Sequence, residues 1–315
     1  MSERERHVPV LLQQAIRYLN VRRGGTYADV TLGFAGHSSA IARELGPQGT
    51  LIAFDRDPDA IARAKQRLEA LREELGPEMP EIILHDVEFS EIAGLIEPGS
   101  LDGLLADFGA SSMHFDEAHR GFSFQAEGPL DMRMNPRHGP TAAQVVNQFG
   151  EKELADLIYE FGEERRSRRI ARAIVRARPI TTTAQLARIV AAAAPAMKSD
   201  RIHPATRTFQ ALRIYVNAEL DEIKALLNAA PGLLKPGGRL AVISFHSLED
   251  RLAKDALREG AQQGVYEVLT RKPVTAEEEE TDRNPRARSA KLRAAERKAE
   301  LEIGPGSSHR SKWRK

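Results

Sequence analysis

Asp29-Val-Thr-Leu-Gly33-Phe-Ala35-Gly36-His37-Ser38 is the stretch that decides the fold. It closes an apolar run, Gly25 to Leu32, that reads as a strand, and it opens Ser38 to Leu45, whose spacing predicts a helix with His37 or Ser38 near its N-cap. Glycine at such a junction lets the backbone approach a ligand, and the following helix start presents free N–H groups to it. Gly49 to Phe54 reads as a buried parallel strand, and Asp55 ends it 22 residues after Gly33.

Outward from this unit the rhythm repeats. Asp57-Pro58 opens a long helix to about Leu75, with the proline in the first turn where its missing donor costs nothing. Ile82 to Leu84 and Leu101 to Phe108 supply a third and fourth strand. Strand–helix alternation of this kind predicts a parallel α/β sheet with right-handed crossovers. From Met113 to Ala205 the pattern changes: no central strand is evident, while Glu151 to Arg178 and Thr183 to Ala194 have helical spacing. Thr206 to Leu227 then reads as one helix, Lys235-Pro-Gly-Gly238 as a turn and Arg239 to Phe245 as a strand. Val265 to Lys272 and Arg288 to Arg293 are expected as two edge strands, with a mobile acidic loop at Glu277 to Glu280 between them. The expected organisation is a Rossmann-like sheet domain from residues 1–112 and 206–315, interrupted by a helical insertion at 113–205.

The chemistry concentrates at the predicted carboxyl ends of the strands, where ligands bind in open α/β sheets. An acidic residue about 20 residues past a Gly-rich loop suits a ribose diol, because both hydroxyls can donate to one carboxylate; Asp55 is so placed. Asp86 offers an acceptor for an adenine amine and Phe89 a ring for its face, although a helix cap and a core position explain them equally well. These features point to an adenosine-containing cofactor. The loop is a poor pyrophosphate binder because Ala35 replaces the middle glycine, and Asp107-Phe108-Gly109 lacks the other parts of a kinase site. S-adenosylmethionine, which has no phosphates, fits best. No clustered histidine and carboxylate set resembles a metal site.

The chain has 315 residues, 41% hydrophobic and 29% charged, a composition suited to a soluble globular protein. No run approaches the roughly 18 consecutive apolar residues of a membrane span, and the polar start, Met1 to Arg6, does not read as an export signal. The chain has no cysteine, which excludes disulfides and thiolate metal sites and suits the cytoplasm. Net charge is only +1, yet arginines crowd 165–178, a second basic segment runs from Arg283 to Arg297, and the end is His309-Arg-Ser-Lys-Trp-Arg-Lys315. Local basic patches on a neutral protein suit a polyanionic partner, with a solvated helix face as the plain alternative for each.

Several longer motifs resemble the bacterial small-subunit ribosomal RNA methyltransferase H (RsmH/MraW) family. They are His7 to Leu12, Asp29 to Ser38, Leu101 to Ser112, Arg120 to Phe124, Gly128 to Met134, Tyr159 to Arg165, His203 to Arg213, Ser244 to Arg251 and Asn284 to Ser289. The resemblance spans essentially the whole chain. It implies methylation of the exocyclic N4 amine of a decoding-region cytidine in small-subunit rRNA, within an assembled or near-assembled 30S particle. It also implies an S-adenosyl-L-methionine-dependent methyltransferase sheet carrying an inserted helical domain. Cofactor contacts carry over onto Gly33, Ala35, Gly36, His37, Asp55, Phe89, Asp107 and His114. Ala35 departs from a glycine and His114 from a glutamine. Asp107, Ser111, Ser112 and His246 are the candidates for orienting the target amine and taking its proton; cofactor binding alone for Asp107 and helix capping for His246 are equally compatible with the sequence. Phe108, Phe122 and Phe124 are candidates to stack on an extruded base, and the arginine-rich insertion to grip RNA. A non-catalytic RNA-binding assembly factor and a methyltransferase acting on another amine remain alternatives, and a homodimer is left open.

Overall fold

The computed structural model describes residues 9–196 and 202–299. An eight-stranded sheet is ordered β3-β2-β1-β4-β5-β8-β6, with β7 also paired to β8. Its strands are β1 (Thr26–Asp29), β2 (Thr50–Asp55), β3 (Glu81–Asp86), β4 (Leu101–Asp107), β5 (Leu234–Ser244), β6 (Tyr266–Val268), β7 (Val274–Thr275) and β8 (Lys291–Arg297). The first five are mutually parallel and β8 is antiparallel to β5. The helices are α1 (Leu12–Leu19), α2 (Gly36–Leu45), α3 (Pro58–Leu75), α4 (Ser112–Asp116), α5 (Ala142–Gln148), α6 (Glu151–Gly162), α7 (Ser167–Arg176), α8 (Thr183–Ala193), α9 (Thr206–Val216), α10 (Glu219–Leu233), α11 (Ser247–Gln262) and α12 (Glu278–Arg283).

The sheet is Rossmann-like, and its strand order reverses between β1 and β4, where such sheets open a ligand crevice. Two apolar clusters cover its faces, one built on Leu11, Ile41, Leu51 and Leu105, the other on Val30, Phe54, Leu104 and Leu226. A third cluster belongs to the helical insertion and joins Val145, Ile158, Ile170, Leu186 and Leu212. Its member Leu212 lies on α9, so the first helix after residue 205 packs with the insertion rather than on the sheet.

Five local expectations are corrected. The single helix expected from Thr206 to Leu227 is two, because Asn217 and a left-handed Ala218 (φ 47°) break it. The helical run of 151–178 is likewise split, at a left-handed Glu163 (φ 48°). The stretch expected as an edge strand at 288–293 is β8, an internal strand between β5 and β6; the turn 235–238 lies within β5. The acidic loop at 277–280 is ordered: it starts α12, and Glu280 accepts a hydrogen bond from the Leu11 N–H (2.7 Å). No helix among the described residues is long and apolar enough to cross a membrane.

Candidate active site

The carboxyl ends of β1, β2, β4 and β5 open into a cavity of about 690 Å³. Gly33, Phe34, Gly36 and His37 form one wall, Asp55 and Phe89 a second, Asp107 to Ser111 the floor, and Arg213, Glu219 and Ile223 the far side. Gly33 (φ 49°) and Ala35 (φ 56°) are both left-handed and turn the chain from β1 into α2. Ala35 is fully buried under the loop. A Cβ at Gly36 would lie 2.3 Å from Pro9 Cγ, so the N-terminal strap can close over the loop only because a glycine stands there.

Asp55 accepts the Gly33 N–H on one carboxylate oxygen (2.8 Å) and the Asp57 N–H on the other (2.9 Å). Burial raises its pKa from 3.8 to about 6, against the pull of these two bonds. Each oxygen keeps a second acceptor position.

Asp107 differs. Its Oδ1 is buried and has no hydrogen-bond partner among the described residues. Its Oδ2 lies 3.7 Å from His37 Nδ1. Burial pushes its pKa well above the ordinary carboxylate range, and the charges of Asp29 and Glu249 push the same way. Asp29 is itself satisfied by Ser38 Oγ (2.6 Å) and the Thr31 N–H (3.1 Å). His37 contacts the Val10 carbonyl through Nε2 (3.0 Å), and burial holds its pKa below the usual value.

His114 lines the cavity but is committed to the scaffold. Its Nδ1 accepts the Ser111 N–H (3.0 Å), which fixes the hydrogen on Nε2, 2.6 Å from Asp57 Oδ2. Arg120 donates to the same Asp57 oxygen (2.8 Å), to Asp59 (3.1 Å) and to the Met134 carbonyl (2.8 Å). Burial would raise Asp57, but the bonds from His114 and Arg120 outweigh it and hold its carboxyl below the usual range. The network ties the start of α3 to the chain entering the insertion.

Behind the floor lies a second cluster. Glu249 Oε2 accepts the Phe245 N–H (2.7 Å), while its Oε1 sits 3.1 Å from His246 Nε2 and 3.5 Å from where a Gly109 Cβ would be. Glu219 carries Arg213, with Nε–Oε1 and Nη2–Oε2 both 2.9 Å. Glu219, His246 and Glu249 place ligand-type atoms within 4.8 Å of one another, a grouping the sequence reading missed because α10 and the β5–α11 junction bring it together. His246 Nδ1 accepts the Glu249 N–H (3.5 Å) as the N-cap of α11, so Nε2 carries the hydrogen, and Arg213 already balances Glu219. Yet Glu219 Oε1, His246 Nε2 and Glu249 Oε1 are each buried without a hydrogen-bond partner among the described residues, so these three atoms form the donor set of a candidate metal site.

The structure thus brings Gly33, Gly36, His37, Asp55, Phe89, Asp107, Ser111 and His114 to one cavity. Ala35 lies beneath it, His246 caps α11 outside its lining, and Ser112 begins α4. Asp86 is held by Arg137 (2.6 Å) and does not line the cavity. Of the three proposed stacking rings only Phe108 borders it; Phe122 stacks on His114 (4.6 Å) and Phe124 packs on Phe209 in the insertion core. Phe115, Phe245, Arg213 and Glu219 line the cavity and were not read from sequence.

In the arginine run, Arg178 is structural, bonding the Val146 carbonyl (2.7 Å), and Arg166 reaches the Pro195 carbonyl (2.8 Å). Arg165, Arg168, Arg169 and Arg176 are exposed without side-chain partners among the described residues. The second basic segment is largely tied inward: Lys291 and Arg293 pair with Asp250, and Arg286 with Asp116. The basic end at 309–315, the polar start at 1–6 and the first two residues of the 7–12 motif lie outside the described residues.

The sequence pattern of the MraW methylase family matches residues 4–298. The chain belongs to this family. It is 84% identical over 94% of its length to the ribosomal RNA small subunit methyltransferase H of Acidobacterium capsulatum, all of which is covered. It is 63% identical to the protein of that name from Koribacter versatilis (93% of this chain, 94% of the relative). For the one from Cyanothece sp. the figure is 50% (94% and 96%).

The methyl donor of this methylase is S-adenosyl-L-methionine, as the sequence reading expected, and the cavity fits it. Asp55 offers free acceptor positions for a ribose diol, Phe89 an apolar ring for the adenine, and the buried Asp29 with the half-buried Asp107 an acidic floor for a sulfonium.

Proposed function

We propose that the chain transfers a methyl group to the exocyclic N4 amine of a decoding-region cytidine in small-subunit ribosomal RNA. On this reading it works in the cytoplasm, on an assembled or near-assembled 30S particle. The observation that carries the reading is the Asp107 Oδ1 atom: a buried acceptor without a partner, on the floor of the cofactor cavity. A cytosine amine is a weak nucleophile, since its lone pair is delocalised into the ring, so the task is to align it and exclude water.

S-adenosylmethionine supplies an electrophilic methyl group. Asp107 orients the amine by accepting one N–H. Held by Asp55 and Phe89, the cofactor would supply the methyl group for the new N–C bond, and the amine proton would pass to Asp107 Oδ1. A raised pKa makes Asp107 the stronger proton acceptor. Its place beside buried Phe108 keeps water from competing. Ser111 lines the same floor, held by His114, and positions the loop through which the base enters. His246 keeps its capping role. The insertion is proposed as the RNA-gripping domain, with exposed Arg165, Arg168, Arg169 and Arg176 as the phosphate contacts.

The test is incubation with isotopically labelled S-adenosylmethionine and small subunits lacking the modification, followed by nucleoside mass spectrometry. Label on N4 of one decoding-region cytidine is expected. Label on another nucleoside overturns the substrate, and absence of both label and cofactor binding leaves an RNA-binding assembly factor.

A further inference from the structure

Two sequence motifs, His203 to Arg213 and Ser244 to Arg251, have no part in the chemistry so far, and the fold brings their side chains together behind the cavity floor. We propose that Glu219, His246 and Glu249 bind one divalent transition-metal ion, zinc being the best match, which ties α10 to the β5–α11 junction. The inference does not depend on the cytidine reading.

Three donor atoms converge on one point. Glu219 Oε1, His246 Nε2 and Glu249 Oε1 lie within 4.8 Å of one another. Each is buried and has no hydrogen-bond partner among the described residues. The Glu249 side chain is 0% exposed, Glu219 4% and His246 12%. His246 Nε2 stands 3.1 Å from Glu249 Oε1, and Arg213 Nε 2.9 Å from Glu219 Oε1. Neither approach has hydrogen-bond geometry, so both pairs keep their charge contact and leave these atoms unsatisfied. A single unpaired buried polar atom is costly; three that face one another are explained together by a cation among them.

The other halves of the two carboxylates are already fastened. Glu249 Oε2 accepts the N–H groups of Phe245 (2.7 Å) and His246 (3.3 Å), and Glu219 Oε2 accepts Arg213 Nη2 (2.9 Å). Each carboxylate is thus held by one oxygen and presents the other, which is how outer hydrogen bonds orient metal-binding carboxylates. Two buried carboxylates against one guanidinium also leave a net negative charge, and a buried charge calls for a partner.

The donor types select the ion. Imidazole nitrogen suits zinc and its first-row neighbours, whereas magnesium and calcium prefer oxygen donors. Donors bonded to zinc at about 2.0–2.2 Å in a tetrahedron lie roughly 3.3–3.6 Å apart, with water in the fourth position. His246 and Glu249 stand near that spacing, and a small rotation of the Glu219 carboxylate brings in its Oε1. Coordination through Nε2 puts the imidazole hydrogen on Nδ1. Among the described residues, the contact that opposes this tautomer is the 3.5 Å approach of the Glu249 N–H to Nδ1, longer than the roughly 2.7–3.2 Å of an ordinary bond. The His246 carbonyl still accepts the Asp250 N–H (3.1 Å), so α11 keeps its cap through the backbone.

The site joins segments distant in sequence. Glu219 opens α10 just past the left-handed Ala218, while His246 and Glu249 start α11 at the end of β5. Glu249 Oε1 lies 3.5 Å from the Gly109 Cβ position, so an ion here braces the cavity floor from behind. Its role is structural.

The experiment uses the full chain. Protein stripped with a chelator and dialysed is titrated with zinc chloride by calorimetry, with magnesium chloride for comparison, and melted with and without zinc. One zinc ion per chain is expected, and magnesium should bind far more weakly. At zinc about 100-fold above its Kd, Tm should rise by about 4–8 °C. Loss of an outer hydrogen-bond partner costs roughly 10- to 100-fold in metal affinity, so loss of a donor in Glu219→Gln or Glu249→Gln should cost more than about 100-fold. Melts without zinc show whether each variant folds; if one does not, the other, with the wild-type stoichiometry and Tm shift, carries the test. No zinc binding by wild type, or a Tm that zinc does not move, overturns the site. Equal zinc affinity in wild type and a folded glutamine variant overturns it too, by assigning the ion to other side chains. Magnesium bound as tightly as zinc overturns the transition-metal assignment.

Discussion

Asp55→Asn separates binding from stability at a single carboxylate. The rise in pKa from 3.8 to about 6 corresponds to about 3 kcal/mol of folding free energy. The folded-state value is the raised one, so the protonated form stabilises the fold: the contribution is fully present below pH 3.8 and lost as pH rises through about 6. At pH 8 wild type carries the whole penalty and the asparagine variant does not. The variant has its own cost, because its amide nitrogen must face either the Gly33 or the Asp57 N–H, both now bonded to carboxylate oxygens. That mismatch costs about 1–3 kcal/mol. The variant should therefore match or exceed wild type at pH 8, by up to about 2 kcal/mol, and fall below it at pH 4, where little of the penalty remains.

Binding runs the other way. The ribose diol needs the ionised acceptor, so S-adenosylhomocysteine affinity of wild type should drop about tenfold between pH 7 and pH 5. Affinity in Asp55→Asn should be about 10- to 150-fold lower at pH 8 and nearly flat with pH. Calorimetric titration at three pH values, with thermal melts of the same samples, reads both. Equal affinity in variant and wild type, or a flat wild-type profile, refutes the ribose assignment.

Asp107→Asn should lower single-turnover methylation by about 10²- to 10⁴-fold while product-cofactor affinity stays within about threefold; a loss of affinity instead returns Asp107 to cofactor binding. Because its folded pKa is also raised, the same variant should melt higher than wild type at pH 8 and lose that advantage in acid, as melts across pH will show. Arg120→Met leaves Asp57, which is fully buried, without its guanidinium, and urea titration should show a loss of about 3–5 kcal/mol; a loss below about 1 kcal/mol means His114 alone satisfies that carboxylate. Arg168→Gln/Arg169→Gln should reduce the slope of log affinity for small-subunit RNA against log salt by about 2, leaving cofactor affinity intact; an unchanged slope removes α7 from the RNA interface.

The sheet was legible because its signals are local. Each of the first four strands is a short apolar run next to a turn, and Asp57-Pro58 marks a helix start by capping chemistry that Asp57 in fact performs, accepting the Asp59 N–H (2.9 Å). Breaks that depend on backbone hand were not legible: Ala218 and Glu163 adopt left-handed φ without a glycine to announce it. Ala35 shows the same limit from the other side. Its departure from glycine reads as a weakened loop, whereas the structure keeps the glycine-like φ of 56° and seats the methyl group in the core. Burial of that methyl, worth about 0.8 kcal/mol, offsets much of the roughly 1–2 kcal/mol of left-handed strain. In the site, Asp55 and Asp107 follow from strand ends and spacing. Arg213 and Glu219 do not, since they are six residues apart across the α9–α10 break and meet only because that break turns the chain. Asp86 failed for the opposite reason: its strand position was right, and a distant arginine, Arg137, claimed it.

The acidic groups around the floor bear on how such a site turns over. Asp29 and Glu249 are fully buried, Glu219 nearly so, and Asp107 has an unmatched oxygen, against Arg213 as the paired guanidinium of the wall. A like-charge cluster of this kind costs stability in the empty protein, and together with burial it holds the Asp107 pKa well above its ordinary value. On the proposed mechanism a sulfonium bound in the cavity would offset that cost and favour the ionised carboxylate, readying Asp107 to accept the amine proton. On that mechanism methyl transfer would leave a neutral sulfur in the cavity and a proton on Asp107. Both changes would cancel the attraction between the acidic floor and the donor, so the acidic surroundings that favour the charged donor would favour release of its neutral-sulfur product.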